Sequence, residues 1–111
     1  MGKIHLLKNE ADFTRFRSGR FFQSLNLRIR VLPSNQNLPR FGFIVPKKIL
    51  PKAVDRNKVK RRLKSIVSQH QNKFKSFDVL FFPSSKILRI KFQDLELEVT
   101  QLLKRANVWQ S

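Results

Sequence analysis

The chain has 111 residues, 41% of them hydrophobic, and a formal net charge of +17 from 24 Lys and Arg against 7 Asp and Glu. That length supports one domain, residues 1–111, and is too short for two ordinary ones; the hydrophobic content, with eleven Phe, excludes a disordered chain. The lack of cysteine excludes a disulfide framework or a thiolate zinc site, and so much positive charge on a small globule points to a polyanionic partner.

The first residues, MGKIHLLKNEADF, lack the apolar core of a signal peptide. Leu6 stands where a myristoylation signal requires Ser or Thr. No apolar run reaches the roughly 18 to 20 residues of a membrane span, so a cytoplasmic protein without a membrane partner is expected. Asn9 to Ser18 predicts a short helix, with Asn9 as cap, Asp12 near its positive end and Gly19 as terminator. Phe13 and Phe16 share one face of it. They serve either packing on a sheet or stacking of a nucleobase, and Arg15, Arg17 and Arg20 interleave with them.

Leu25 to Leu32 alternates, with Leu25, Leu27, Ile29 and Val31 on one side and Asn26, Arg28 and Arg30 on the other. This pattern predicts a half-buried strand with a basic outer face. PSNQNLP, from Pro33 to Pro39, is a turn, and Phe41 to Val45 returns as a second strand antiparallel to the first. Pro46 should end regular pairing.

From Lys47 to Lys64 there are nine basic residues, Lys47, Lys48, Lys52, Arg56, Lys58, Lys60, Arg61, Arg62 and Lys64, against one acid, Asp55. At about 100° per residue, Val59, Leu63, Ile66 and Val67 fall in one sector, and Phe74 extends the same face. Asn57, Lys60, Arg61 and Lys64 fall opposite, flanked by Lys58 and Arg62. The spacing therefore predicts an amphipathic helix with a core stripe and a cationic face, starting at Pro51 or at Asp55 and ending near His70 to Lys75. Like charges along it repel by about 0.2–0.5 kcal/mol per pair, a cost that packing or a bound polyanion offsets. Asn57 can donate to and accept from phosphate, ribose or base edge, which a cation alone cannot.

SFDVLFFP, from Ser76 to Pro83, predicts a strand that follows the previous one through a helix, hence a parallel β-α-β unit. Ser84 to Ile90 is a polar loop. Phe92 to Ala106 predicts a last amphipathic helix, with Asp94, Glu96 and Glu98 early and Lys104 and Arg105 late, as the helix dipole favours. The tail after about residue 106 is expected to be flexible. The acids mostly serve helix starts, His5 and His70 have no metal-ligand spacing, and there is neither a nucleophile with a base nor a glycine-rich phosphate loop. No catalytic residue and no protein-bound metal is expected.

RFGFIVPKK followed by KAVDRNKVKRRLK resembles the bacterial ribonuclease P protein subunit family. Its pattern is G-x-x-V-S-K-K at a strand end, then K-A-V-x-R-N-R-x-K-R-x-x-R on a helix. The matching positions are Gly42, Val45, Lys47, Lys48, Lys52, Ala53, Val54, Arg56, Asn57, Lys60 and Arg61, and LLKNEADF resembles the family's L-x-K-x-x-D-F opening. Differences from the pattern are Lys58 and Lys64 in place of arginine, where charge survives without the planar fork, Pro46 in place of serine, and a closer spacing of Phe13 and Phe16.

The resemblance implies an α+β single domain with a small mixed sheet, an α-β-β-β-α-β-α-like order and a left-handed β-α-β crossover. It implies a holoenzyme in which a catalytic RNA, working with Mg2+, removes the 5′ leader of precursor tRNA, so the partners are that RNA and precursor tRNA, with no obligate protein partner. It makes Arg56, Asn57, Lys58, Lys60, Arg61 and Lys64 the RNA-facing motif, with Lys47, Lys48 and Lys52 beside it, and makes Phe13 and Phe16 line a leader cleft. The outward strand face adds Arg28 and Arg30 to that cleft. The rival readings are a structural RNA binder such as a small ribosomal protein, a double-stranded DNA binder, which lacks its helix-turn-helix spacing, and a conventional nuclease, which lacks clustered acids.

Overall fold

The period-two pattern of the first long strand is realised in a computed structural model that describes residues 5–7, 18–34 and 37–109. Five strands, β1 (His5–Leu6), β2 (Arg20–Gln23), β3 (Leu27–Pro33), β4 (Arg40–Phe43) and β5 (Phe77–Pro83), form one mixed sheet in the order β1-β4-β5-β3-β2. Among the described residues two α-helices, α1 (Ala53–Gln69) and α2 (Phe92–Arg105), pack with the sheet in an α+β domain. The predicted first helix, with Phe13 and Phe16, lies outside the described residues apart from Ser18.

In β3, Leu27, Ile29 and Val31 are buried while Arg28 is exposed, as the alternation requires. Leu25 departs from that pattern and is 82% exposed. The reason is a turn: Ser24 N–H and Ser24 Oγ–H both donate to Leu27 O, at 2.8 and 3.1 Å, so pairing starts only at Leu27.

β5 occupies the centre of the sheet because its Val79, Leu80 and Phe81 are apolar on both faces, the composition of a strand covered on both sides. β3 runs antiparallel to it (Ile29↔Phe81) and β4 parallel (Arg40↔Asp78). The parallel β4-α1-β5 unit is as predicted. β3 and β4 do run in opposite directions, but they are not neighbours, since β5 lies between them. Strands β1 and β2, two and four residues long, are too short to announce themselves by periodicity.

One sheet face buries Ile29, Val31, Phe41, Val79 and Phe81 against Val59, Leu63, Ile66 and Val67 of α1 and Leu95, Val99, Leu102 and Leu103 of α2. Full burial of each such side chain contributes about 1.5–3 kcal/mol. On the other face a smaller cluster gathers Leu7 and Leu80 with Leu32, Ile44 and Phe82. Between β4 and β5, Arg40 donates to both carboxylate oxygens of fully buried Asp78, from Nε at 3.0 Å and from Nη2 at 2.8 Å. This bidentate geometry is what makes a buried carboxylate tolerable.

Helix α1 begins between its two predicted starts, with Lys52 as a cap that makes no side-chain hydrogen bond. It ends at Gln69, followed by a 3-10 turn, Gln71–Lys73. Phe74 is therefore buried beyond the helix and not on a continuation of its stripe. The segment Ser84–Ile90 contains a second 3-10 turn, Ser85–Arg89, which buries Ile87 completely. Asn107 takes φ 60, turning the chain back after α2, and Val108 and Trp109 are buried. Lys75 N–H donates to Val108 O at 2.9 Å, and Trp109 bridges to Phe74, with ring centroids 5.2 Å apart.

Candidate nucleic-acid interface

The cationic stretch divides into residues turned outward and residues turned inward. Lys52, the residue that caps α1, and Asn57, Lys58, Arg61 and Lys64 on it are exposed, Lys60 is half-buried, and none of these cations has a salt-bridge partner among the described residues. Lys47 and Lys48 are exposed on the turn before the helix. That turn closes through Ile49 N–H and Leu50 N–H, which both donate to Pro46 O at 3.0 and 3.1 Å, and is pinned by buried Leu50. Asp55 lies in the first turn of α1, where the helix dipole favours an acid.

Arg56 and Arg62 do otherwise. Arg56 Nη1–H donates to Leu50 O at 2.9 Å and to Pro51 O at 2.8 Å. Arg62 Nη2–H donates to Ile90 O at 2.7 Å, and its guanidinium lies 5.9 Å from the Phe92 ring centre. The helical wheel holds the signal for this. At about 100° per residue, Arg56 falls inside the buried stripe, between Leu63 and Val67, and Arg62 falls just beyond Ile66 at one edge of it.

A second charged surface lies on the sheet. Arg28 and Arg30 are 5.2 and 5.7 Å from the ring centre of Phe21, which is 44% exposed, and Arg28 is 5.6 Å from that of Phe82. The pairing register accounts for this layer, since Phe21 opposes Arg30 and Arg28 opposes Phe82 across adjacent strands. A groove of about 470 Å³ runs from there to the turn and brings Arg28 and Lys48 together with Ile49, Phe82 and Ser84. The sequence reading missed Phe21 and Phe82, although Phe82 alternates with buried Phe81 and so belongs to the face of Arg28. Cations stacked on exposed rings beside a groove can hold phosphates and bases at once.

Among the described residues, His70, Glu96 and Glu98 serve other contacts. No group of three His, Asp or Glu is placed to hold a metal ion there. His70 is half-buried, with Nε2 3.2 Å from Glu96 Oε2 and its ring 5.1 Å from Trp109. Glu98 accepts from Ser24 Oγ, and from Asn26 N and Nδ2 at 2.8 Å each. Both acids therefore hold the fold. No helix among the described residues is long and apolar enough to cross a membrane.

Residues 1–107 match the family model described as Ribonuclease P. A ribonuclease P protein component of Roseiflexus sp. (strain RS-1) is 32% identical over 114 residues, covering 100% of this chain and 93% of that protein. That of Pelotomaculum thermopropionicum is 30% identical, covering 97% of each. Among solved structures, the RNase P protein from Thermotoga maritima superposes with a TM-score of 0.82 at 26% identity, covering 91% of this chain and 96% of that one. The Staphylococcus aureus RNase P protein reaches 0.87 over 97% and 100% at 23% identity, a likeness of fold. Carrying an unneutralised cationic helix on this fold, the chain belongs to the ribonuclease P protein family.

Proposed function

We propose that the chain is the protein subunit of a bacterial ribonuclease P, acting in 5′ maturation of tRNA. The observation that carries this reading is the outward face of α1 with its preceding turn, where Lys47, Lys48, Lys52, Lys58, Lys60, Arg61 and Lys64 meet no acidic partner among the described residues. Such a face is stabilised when phosphates neutralise it and counterions are released, so binding weakens steeply with salt. This face, with Asn57 supplying an amide, contacts the catalytic RNA. The chemistry belongs to that RNA with its Mg2+, and the chain contributes positioned cations and aromatic rings. The holoenzyme works in the cytoplasm on precursor tRNA and needs no other protein.

The leader of the substrate crosses the sheet face of Arg28, Arg30 and Phe21, with Phe13 and Phe16 as further stacking groups. Base stacking on such rings is worth about 1–3 kcal/mol per base and tolerates any sequence, which suits a protein that meets many leaders. The test is 5′ processing of a precursor tRNA by a bacterial ribonuclease P RNA at low magnesium, with and without the protein. Stimulated cleavage at the mature 5′ end is expected. Tight, salt-sensitive RNA binding without stimulation would instead favour a structural RNA binder.

A further inference from the structure

Three consecutive carbonyls, those of Leu50, Pro51 and Lys52, are held by one residue. Arg56 N–H donates to Lys52 O at 3.1 Å, and Arg56 Nη1 donates to Leu50 O and Pro51 O. These are the residues that lead into α1, whose entry has no side-chain cap and whose preceding turn closes through two hydrogen bonds to Pro46 O. Nothing else among the described side chains ties that segment to the helix by a hydrogen bond. The turn it anchors carries Lys47 and Lys48, and Lys52 is the cap itself.

We infer that Arg56 is a positioning residue, a staple that fixes the Pro46–Lys52 segment on the first turns of α1 so that Lys47, Lys48 and Lys52 join the helix cations in one RNA-binding surface. The resemblance makes the same arginine a direct RNA contact. The geometry assigns it to the fold of the interface instead: its wheel position lies within the buried stripe, between Leu63 and Val67, it is half-buried, and its Nη1 is occupied by two main-chain acceptors. An arginine suits the task because two hydrogens on one planar nitrogen reach two carbonyls together. The inference deepens the proposed RNA-binding role and rests on it.

A double-mutant cycle tests it. Affinity for a bacterial ribonuclease P RNA is measured for the wild type, Arg56→Met, Lys47→Ala with Lys48→Ala, and the triple variant, across a salt series. Arg56→Met keeps the apolar stem and removes the donors; Arg56→Gln replaces it if the methionine variant does not fold. Arg56→Met alone should weaken binding about tenfold, as the loss of one charge-assisted interaction would, and in the lysine-neutralised background by no more than about twofold. Amide exchange of Ile49 and Leu50 in the free protein should accelerate in the variant.

The inference is overturned if Arg56→Met costs the same factor in both backgrounds and lowers the salt slope by about one contact, or if exchange at Ile49 and Leu50 stays unchanged. A wild type that binds no such RNA would sink the proposed function, and the exchange measurement would still decide whether the staple exists.

Discussion

The two helices pack on the same sheet face and use their polar residues in opposite ways. On α2, Glu96 meets His70, Glu98 holds the Ser24–Asn26 turn, and Arg105 donates to Gln23 O. On α1 the outward cations meet nothing of their own chain among the described residues, apart from the inward Arg56 and Arg62. Charge that holds a fold together is placed within hydrogen-bond reach of a fixed acceptor, whereas charge meant for a partner is left solvated and mutually repulsive. Position on the wheel separates the two kinds better than residue type does.

That contrast can be broken by mutation. The largest effect is expected from Asp78→Ala, which strands Arg40 in the sheet and should cost about 3–5 kcal/mol of stability, measured by denaturant unfolding. Glu98→Ala orphans the donors of the Ser24–Asn26 turn and should cost about 2 kcal/mol while leaving RNA affinity at fixed salt unchanged. A loss of affinity in a folded Glu98 variant would blur the division between the helices.

Replacing Lys58, Arg61 and Lys64 together by Ala should do the reverse. RNA affinity at moderate salt should fall at least about tenfold with a salt slope smaller by about two to three contacts. The melting temperature should hold or rise as repulsion is relieved, and a marked fall would assign those cations to the fold. The smallest effect is expected at Leu97, 56% exposed on the outside of α2. Leu97→Lys should change stability by no more than about 0.5 kcal/mol, and a larger loss on thermal unfolding would reveal a packing role for that face.

Much of this architecture was legible in the chain because burial writes a period into it. The stripe Val59, Leu63, Ile66 and Val67, the alternation of Leu27 to Val31 and the apolar run of β5 each carry their own geometry. What escaped was set by contacts distant in sequence. Leu25 continues the alternation but is turned out by a loop that Glu98 holds from another element, and β1 and β2 exist only through their neighbours. The α1 face was readable as a cationic surface. The inward turn of Arg56 and Arg62 depends on carbonyls in flanking segments, which a wheel hints at and cannot specify. Trp109 escaped because four residues after a helix hold no period at all.

That indole gives the molecule a built-in optical gauge. Trp109 is the only tryptophan in the chain, and it sits between the rings of His70 and Phe74 with Lys73 Nζ 5.6 Å from its centre. Its emission therefore reports one event, the docking of the chain's final turn onto the foot of α1, at the opposite end of that helix from the turn carrying Lys47 and Lys48. Unfolding that starts at the C-terminal end will shift this signal before far-ultraviolet ellipticity changes, and it needs no label.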